Sequence, residues 1–170
     1  MIAVMAMSAL SMSAQDSKFA VGLNTDLGFY SGSYTAFGIG AKFQYNIMEN
    51  FRSELGYTYY LNKDEYGVWA GNLNFAYMFP LGEKFKVGPM AGLSIVGTHY
   101  GSDLKDAYEA AYGVELENTT AVGFNVGAAS EYQVSDHFKL GLDAFYKHAK
   151  KDGVDIACGF VLSLTAAYCF

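Results

Sequence analysis

The 170-residue chain contains little charge, two prolines and two cysteines. Only 16% of its residues are charged, while 52% are hydrophobic, a composition that excludes intrinsic disorder. The net charge of -6 disfavours general nucleic-acid binding. The longest uncharged stretch beyond the N-terminus, residues 66–82, is interrupted by Asn72, Asn74 and Pro80. Because a membrane-spanning helix needs about 20 consecutive apolar residues, helical spans are excluded as well.

The cysteines do not form a motif either. Cys158 and Cys169 lie eleven residues apart in one predicted strand, which separates them by about 35 Å. A disulfide between them is therefore excluded, and the spacing predicts no metal site.

The apolar residues instead recur at every second position, the pattern of β-strands with one apolar face. Residues 18–30 illustrate it, with Val21, Leu23 and Leu27 alternating with Gly22, Asn24 and Asp26. Eight such segments are predicted: residues 18–30, 35–46, 51–61, 68–79, 85–98, 120–134, 138–147 and 156–170. Connections 47–50, 80–84 and 135–137 are short, whereas 31–34, 62–67, 99–119 and 148–155 are generally longer. An even-numbered antiparallel meander of this kind closes into an up-and-down barrel, which leaves no exposed strand edge.

Alternation alone leaves open whether the apolar face points inward, as in a soluble lipocalin-like carrier, or outward toward lipid. The polar face combines many small residues with four positive and four negative side chains, which suits a narrow lumen filled by paired charges. Lys42 with Glu54, and Arg52 with Asp26, are the predicted pairs. The expected lumenal charge network comprises Asp26, Lys42, Arg52, Glu54, Lys86, Glu131, Lys139 and Asp143.

The aromatic residues favour the outward alternative, because they fall at two levels along the strands, as in the interfacial girdles of outer-membrane barrels. One level lies at the short-turn end and comprises Phe19, Tyr45, Phe51, Phe79, Phe85, Tyr132, Phe138 and Phe170. The other lies near the long-loop end and comprises Phe29, Phe37, Tyr59, Trp69 and Tyr146.

The last strand carries Leu162, Leu164, Ala166 and Tyr168 at alternating positions and ends on Phe170. This pattern resembles the C-terminal assembly signal of bacterial outer-membrane proteins, in which Leu164, Tyr168 and Phe170 would be read by the barrel-assembly machinery. The chain from Gln15 onward is similar to the small eight-stranded outer-membrane barrels of the OmpX/OmpA-transmembrane-domain type, often called the porin family. The resemblance implies a Gram-negative outer-membrane location, contact with lipid and lipopolysaccharide, and both termini in the periplasm.

Residues 1–14 are uncharged, apolar and rich in small residues near their end, which predicts a signal peptide. The domain prediction is therefore a signal peptide at 1–14, possibly truncated at its start, followed by a barrel at 15–170.

An eight-stranded barrel has an interior that side chains can fill, so we expect a plugged barrel with a structural or surface-interaction role in adhesion or envelope integrity. A narrow gated pore and a soluble carrier are the alternatives. A lipid-modifying enzyme is a weaker alternative, because His99 and His148 fall on the apolar face and His137 in a short turn, where nothing enforces acid–base geometry. No catalytic residue, metal or cofactor is predicted.

The 99–119 connection is the candidate interaction loop. Its charged residues sum to -4, which favours a solvated loop that faces lipopolysaccharide. Exposed tyrosines suit protein recognition, so an extracellular protein partner is the alternative. The spacing of the acidic residues is not that of a calcium-binding EF-hand. The candidate residues are Tyr100, Asp103, Asp106, Tyr108, Glu109, Tyr112, Glu115 and Glu117.

Overall fold

A computed structural model describes residues 18–31, 34–61, 66–100, 118–151 and 153–170 of the chain. These residues form nine antiparallel strands. The strands are β1 (Phe19–Tyr30), β2 (Tyr34–Met48), β3 (Phe51–Leu61), β4 (Tyr66–Tyr77), β5 (Phe79–Pro80), β6 (Phe85–Tyr100), β7 (Thr119–Ser135), β8 (Phe138–Lys151) and β9 (Val154–Cys169). Within the described ranges, no helix is long and apolar enough to span a bilayer.

The sheet closes on itself as an eight-stranded barrel. Each long strand pairs with its neighbours along the chain, and two further pairings complete the ring: β1 with β9, and β4 with β6. β5 is a two-residue strand that continues the path of β4 beyond Met78 and pairs with β6. The predicted up-and-down topology is therefore confirmed, with the eighth and first long strands joined without a free edge.

The apolar face of the sheet points outward. Leu23 is 74% exposed, whereas its neighbours in β1, Asn24 and Asp26, are 3% and 2% exposed. The same alternation continues in the other long strands, and the largest buried side chains include Arg52 and Lys147. A lipocalin-like carrier requires the opposite arrangement, an apolar interior and a polar exterior, so that alternative is wrong for this chain.

Two details differ from the sequence prediction. The predicted fourth strand is interrupted at Met78, whose backbone N–H donates to the carbonyl of Asn50 at 2.7 Å. The predicted 148–155 loop is largely strand, because β8 continues to Lys151 and β9 begins at Val154. Charged residues such as Lys150 and Asp155 suggested a loop, but they pair across the hairpin beyond the apolar part of the strands.

Candidate functional site in the barrel lumen

The short-turn half of the lumen is crossed by a network of ion pairs centred on Arg52. Arg52 Nη2 lies 3.0 Å from Glu54 Oε2, and its Nη1 pairs with Glu131. Lys139 Nζ lies 3.0 Å from the same Glu131 oxygen, and Gln44 donates to Glu54 at 2.6 Å. Because Arg52 is in β3 and Glu131 in β7, this network ties opposite walls of the barrel together.

A second ion pair crosses the middle of the lumen. Lys42 in β2 pairs with Asp143 in β8, and both side chains are buried. Next to it, Asp26 accepts hydrogen bonds from Asn24 Nδ2 at 2.7 Å and from Thr58 Oγ1 at 2.8 Å. Asp26 is therefore stabilised by neutral donors from two strands, β1 and β3.

These partners correct the two predicted pairs. Lys42 pairs with Asp143 rather than Glu54, and Arg52 pairs with Glu54 and Glu131 rather than Asp26. The predicted pairs join residues one or two strands apart, whereas the Lys42–Asp143 and Arg52–Glu131 pairs reach across the narrow lumen. Lys86, the remaining predicted member, lies opposite Glu131 in the β6–β7 register and lines the cavity at the short-turn mouth.

A group of amides completes the plug beside β4. Asn125 Nδ2 donates to Asn74 Oδ1 at 2.9 Å and to Asn72 Oδ1 at 3.1 Å, and Ser94 also donates to Asn72. Alternation along the strands places these residues in the lumen. They are neutral, so the predicted network, which was a set of charged residues, did not include them.

Lys147 is a ninth charged residue of the lumen, which the sequence analysis missed. It is 0% exposed, and its ammonium has no hydrogen-bond partner among the residues described. The rings of Phe145 and Tyr60 lie beside it, with centroids 5.8 and 6.0 Å from Nζ. Its alternation with Tyr146 on β8 was the available signal, but the prediction ended the strand at this residue and counted its charge with the loop.

The lumen is narrowest between its two mouths. A cavity of about 490 Å³ lies at the short-turn end and one of about 300 Å³ at the long-loop end. Between them, the cavity lined by Asp26, Lys42 and Glu54 measures about 10 Å³, roughly the space for one water molecule. The Tyr30 hydroxyl, which donates to that of Tyr60 at 3.2 Å, lines the long-loop mouth.

The predicted girdle aromatics all lie on the outward face or at its short-turn edge. Phe19, Phe51, Trp69 and Phe170 are half-buried against neighbours, and the other nine are exposed. In the terminal strand, Leu164 and Tyr168 are 56% and 45% exposed, and the Phe170 N–H donates to the Phe19 carbonyl at 2.9 Å.

Seven candidates of the interaction loop, from Asp103 to Glu117, lie outside the described residues, as do the predicted signal peptide and cleavage site. For Tyr100, the structure describes only its place at the end of β6. Among the histidines, His137 occupies the turn between β7 and β8, and His99 is exposed near the end of β6.

The family described as "Outer membrane protein beta-barrel domain" matches residues 2–168 of the chain. The chain belongs to this family. No curated protein sequence matches it. The fold of this outer-membrane barrel is similar to several solved structures, all at low sequence identity.

Three of these structures illustrate the sequence identity and structural similarity found. Neisserial surface protein A is 20% identical, with a TM-score of 0.70 over 91% of this chain and 98% of that one. The N-terminal barrel domain of Pseudomonas aeruginosa OprF is 16% identical, with a TM-score of 0.64 over 89% and 97%. Ail, the attachment invasion locus protein of Yersinia pestis, is 15% identical, with a TM-score of 0.55 over 89% and 96%. At these identities the likeness concerns the fold alone, that of small outer-membrane β-barrels.

Proposed function

We propose that this outer-membrane barrel is a closed scaffold that presents its long-loop end at the cell surface for interaction or envelope integrity. The observation that carries the proposal is the 10 Å³ cavity in mid-lumen, bounded by the Asp26 and Lys42 side chains. A cavity of that size holds about one water molecule, so it does not pass hydrated solutes.

The alternative of a narrow gated pore requires the cross-lumen pairs to separate. Opening past Lys42 would break its pair with Asp143, and both groups are buried. Removing the partner of a buried charge costs about 3 to 5 kcal/mol, which keeps an open state rare in the absence of a ligand that stabilises it.

The orientation proposed from the sequence places both termini and the short turns in the periplasm. The two levels of aromatic side chains would lie at the two membrane interfaces, with lipid and lipopolysaccharide around the outward face. Leu164, Tyr168 and Phe170, on the terminal strand, would be read by the assembly machinery during insertion. A signal peptide at residues 1–14 fits this route of export.

An interaction role would use the 99–119 loop, which joins β6 to β7 at the long-loop end of the barrel. Ail has been crystallised with the heparin analogue sucrose octasulfate, a polyanion. The charge of -4 on the present loop disfavours a polyanionic ligand, because like charges repel. The loop therefore fits a protein partner with a basic or tyrosine-binding surface better than a sulfated sugar.

We infer no catalytic role for the barrel. His137 lies in a short turn, and His99 is exposed near the end of β6. No acid–base arrangement surrounds these two residues in the described structure. The third histidine, His148, does contact Cys158, a contact that alternation did not predict, but the pair lies on the outward face and not in the lumen. These placements support a binding function over lipid modification.

Conductance of the purified barrel in planar bilayers tests the closed lumen. The wild-type protein should give no steady conductance, whereas the double variant Lys42→Ala/Asp143→Ala should conduct because it enlarges the mid-lumen constriction. Leu142→Ala, at a neighbouring position that faces outward, is the matched control and should remain closed. Steady wild-type conductance would instead support the narrow-pore alternative.

A further inference from the structure

A side-chain cluster on the outer surface of the barrel lies apart from the lumen. His148 and Cys158 are directly opposite each other in the β8–β9 register. Opposite residues of an antiparallel pair point to the same face of the sheet. The Cys158 Sγ accordingly lies 2.9 Å from His148 Nδ1.

A β-bulge adds a third donor to this face. Beyond the pair Ala149–Ala157, the register shifts so that Lys150 lies opposite Asp155, and Ile156 is left over. In a regular strand Asp155 would point to the opposite face from Cys158, because the two are three residues apart. The bulge reverses this, since an extra residue re-aims the side chains beyond it. Asp155 therefore projects outward beside His148 and Cys158.

The three donor atoms, an imidazole nitrogen, a thiol sulfur and a carboxylate oxygen, all lie within 4.8 Å of one another. Zinc prefers this ligand chemistry, with Zn–S of about 2.3 Å and Zn–N of about 2.0 Å in tetrahedral sites. Those lengths place sulfur and nitrogen about 3.6 Å apart, so small side-chain rotations would convert the cluster into three ligand positions.

We propose that His148, Asp155 and Cys158 form a surface site for Zn²⁺ at the long-loop end of the β8–β9 hairpin. Three protein ligands leave a fourth position open to water or to a donor from outside the chain. The site shares no residue with the lumenal plug, so its existence does not depend on the proposed function.

The surroundings of the cluster hold the His148 ring in place and leave the Asp155 side open to an incoming ion. The His148 ring lies 5.4 Å from that of Phe124 and 6.3 Å from that of Tyr146, centroid to centroid, which restricts its rotation. Cys158 is buried, whereas the Asp155 side chain is 55% exposed. An ion would therefore approach past Asp155.

Lys150 is the competitor for the carboxylate. Its Nζ lies 3.1 Å from Asp155 Oδ1, and its side chain is 48% exposed. Exposed ion pairs of this kind are weak because water screens both charges, so a metal ion can displace the ammonium. Lys150 also repels any cation at the site, and its removal should tighten binding.

Cobalt titration of the full chain, folded in detergent and kept reduced, tests the proposal, because Co²⁺ bound to thiolate gives a charge-transfer absorption band. We expect one equivalent of Co²⁺ to bind with this band, and Zn²⁺ to displace it. Cys158→Ala should abolish the band, and His148→Gln and Asp155→Asn should each weaken binding at least about tenfold. Lys150→Met should strengthen it.

Matched controls use a second histidine and the other cysteine. His99→Gln changes an exposed histidine at the same end of the barrel, and Cys169→Ser changes the buried cysteine at the opposite end. Both should bind Co²⁺ as the wild type does. The proposal is wrong if the wild type shows no stoichiometric charge-transfer band, or if Cys158→Ala retains it. Should His148→Gln fail to fold, as shown by loss of the heat-dependent gel shift, the exposed Asp155→Asn and Lys150→Met substitutions decide by opposite changes in affinity.

Discussion

At the scale of single residues, Arg52 and Glu131 each have two ionic partners in the described lumen, and Arg52 is the more deeply buried of the two. It pairs with Glu54 and with Glu131 and is 2% exposed. The variant Arg52→Met would leave two carboxylates close together without their shared cation. Because breaking a buried pair costs about 3 to 5 kcal/mol, we expect the free energy of unfolding to fall by that amount. Urea titration of the barrel in lipid vesicles, followed by tryptophan fluorescence, measures it.

Substitutions of Lys147 and Lys150 are the controls for the loss of stability expected in Arg52→Met. Lys147→Met removes a buried ammonium without a hydrogen-bond partner in the described structure, so stability should stay constant or rise, since desolvating an unpaired charge is unfavourable. Lys150→Met breaks an exposed pair and should leave the free energy of unfolding nearly unchanged, because water screens both charges. An equal loss in all three variants would show that the network around Arg52 contributes nothing specific.

At the scale of elements, the break between β4 and β5 requires a glycine on the facing strand. A Cβ atom at Gly88 in β6 would lie 1.7 Å from the Tyr77 carbonyl oxygen, so the two backbones meet without room for a side chain. We expect Gly88→Ala to lower the free energy of unfolding by about 1 to 3 kcal/mol, the usual range for overpacking. Gly71→Ala is the control, because nothing lies within 4 Å of its Cβ position; urea unfolding that ranks the two variants equally would contradict this role of Gly88.

The strands themselves were predictable because alternation is a local property of the sequence. β3 has the predicted bounds, and β1, β6 and β9 deviate by at most two residues at either end. Bulges are not local in this sense. The shift between Ala149 and Lys150 depends on how two strands pair, and it determines the face that Asp155 occupies. The cluster of Asp155 with His148 and Cys158 could therefore not be predicted from their spacing in the sequence.

The lumenal site was predictable as a set of residues but not as a set of pairs. Alternation indicates that Lys42, Arg52 and Asp143 point inward, whatever their partners. Which charges meet depends on the distance across the closed barrel, as the Lys42–Asp143 and Arg52–Glu131 pairs show. The width of the lumen is set by how the whole sheet closes, so it cannot be inferred from two adjacent strands.

At the scale of the whole molecule, the barrel has two unlike ends. Three connections of two to four residues, such as Leu81–Lys84 between β5 and β6, lie at the same end as both described termini. At the other end, three connections are equally short, but a long segment, residues 101–118, separates β6 from β7. The proposed orientation places the first end in the periplasm and the second at the cell surface, because outer-membrane barrels have short periplasmic turns and longer extracellular loops.

Labelling of single cysteines in intact cells tests this orientation. In a background of Cys158→Ala and Cys169→Ser, we would introduce Glu83→Cys at the short-turn end and Asn118→Cys at the long-loop end, both at exposed positions. A membrane-impermeant maleimide should label Asn118→Cys in intact cells, and Glu83→Cys only after the outer membrane is permeabilised, because the bilayer separates the two ends by about 30 Å of hydrocarbon. The reverse labelling pattern would mean that the barrel has the opposite orientation in the membrane. The 99–119 loop would then face the periplasm, and the surface-interaction role would be wrong. The fold and the closed lumen would be unaffected.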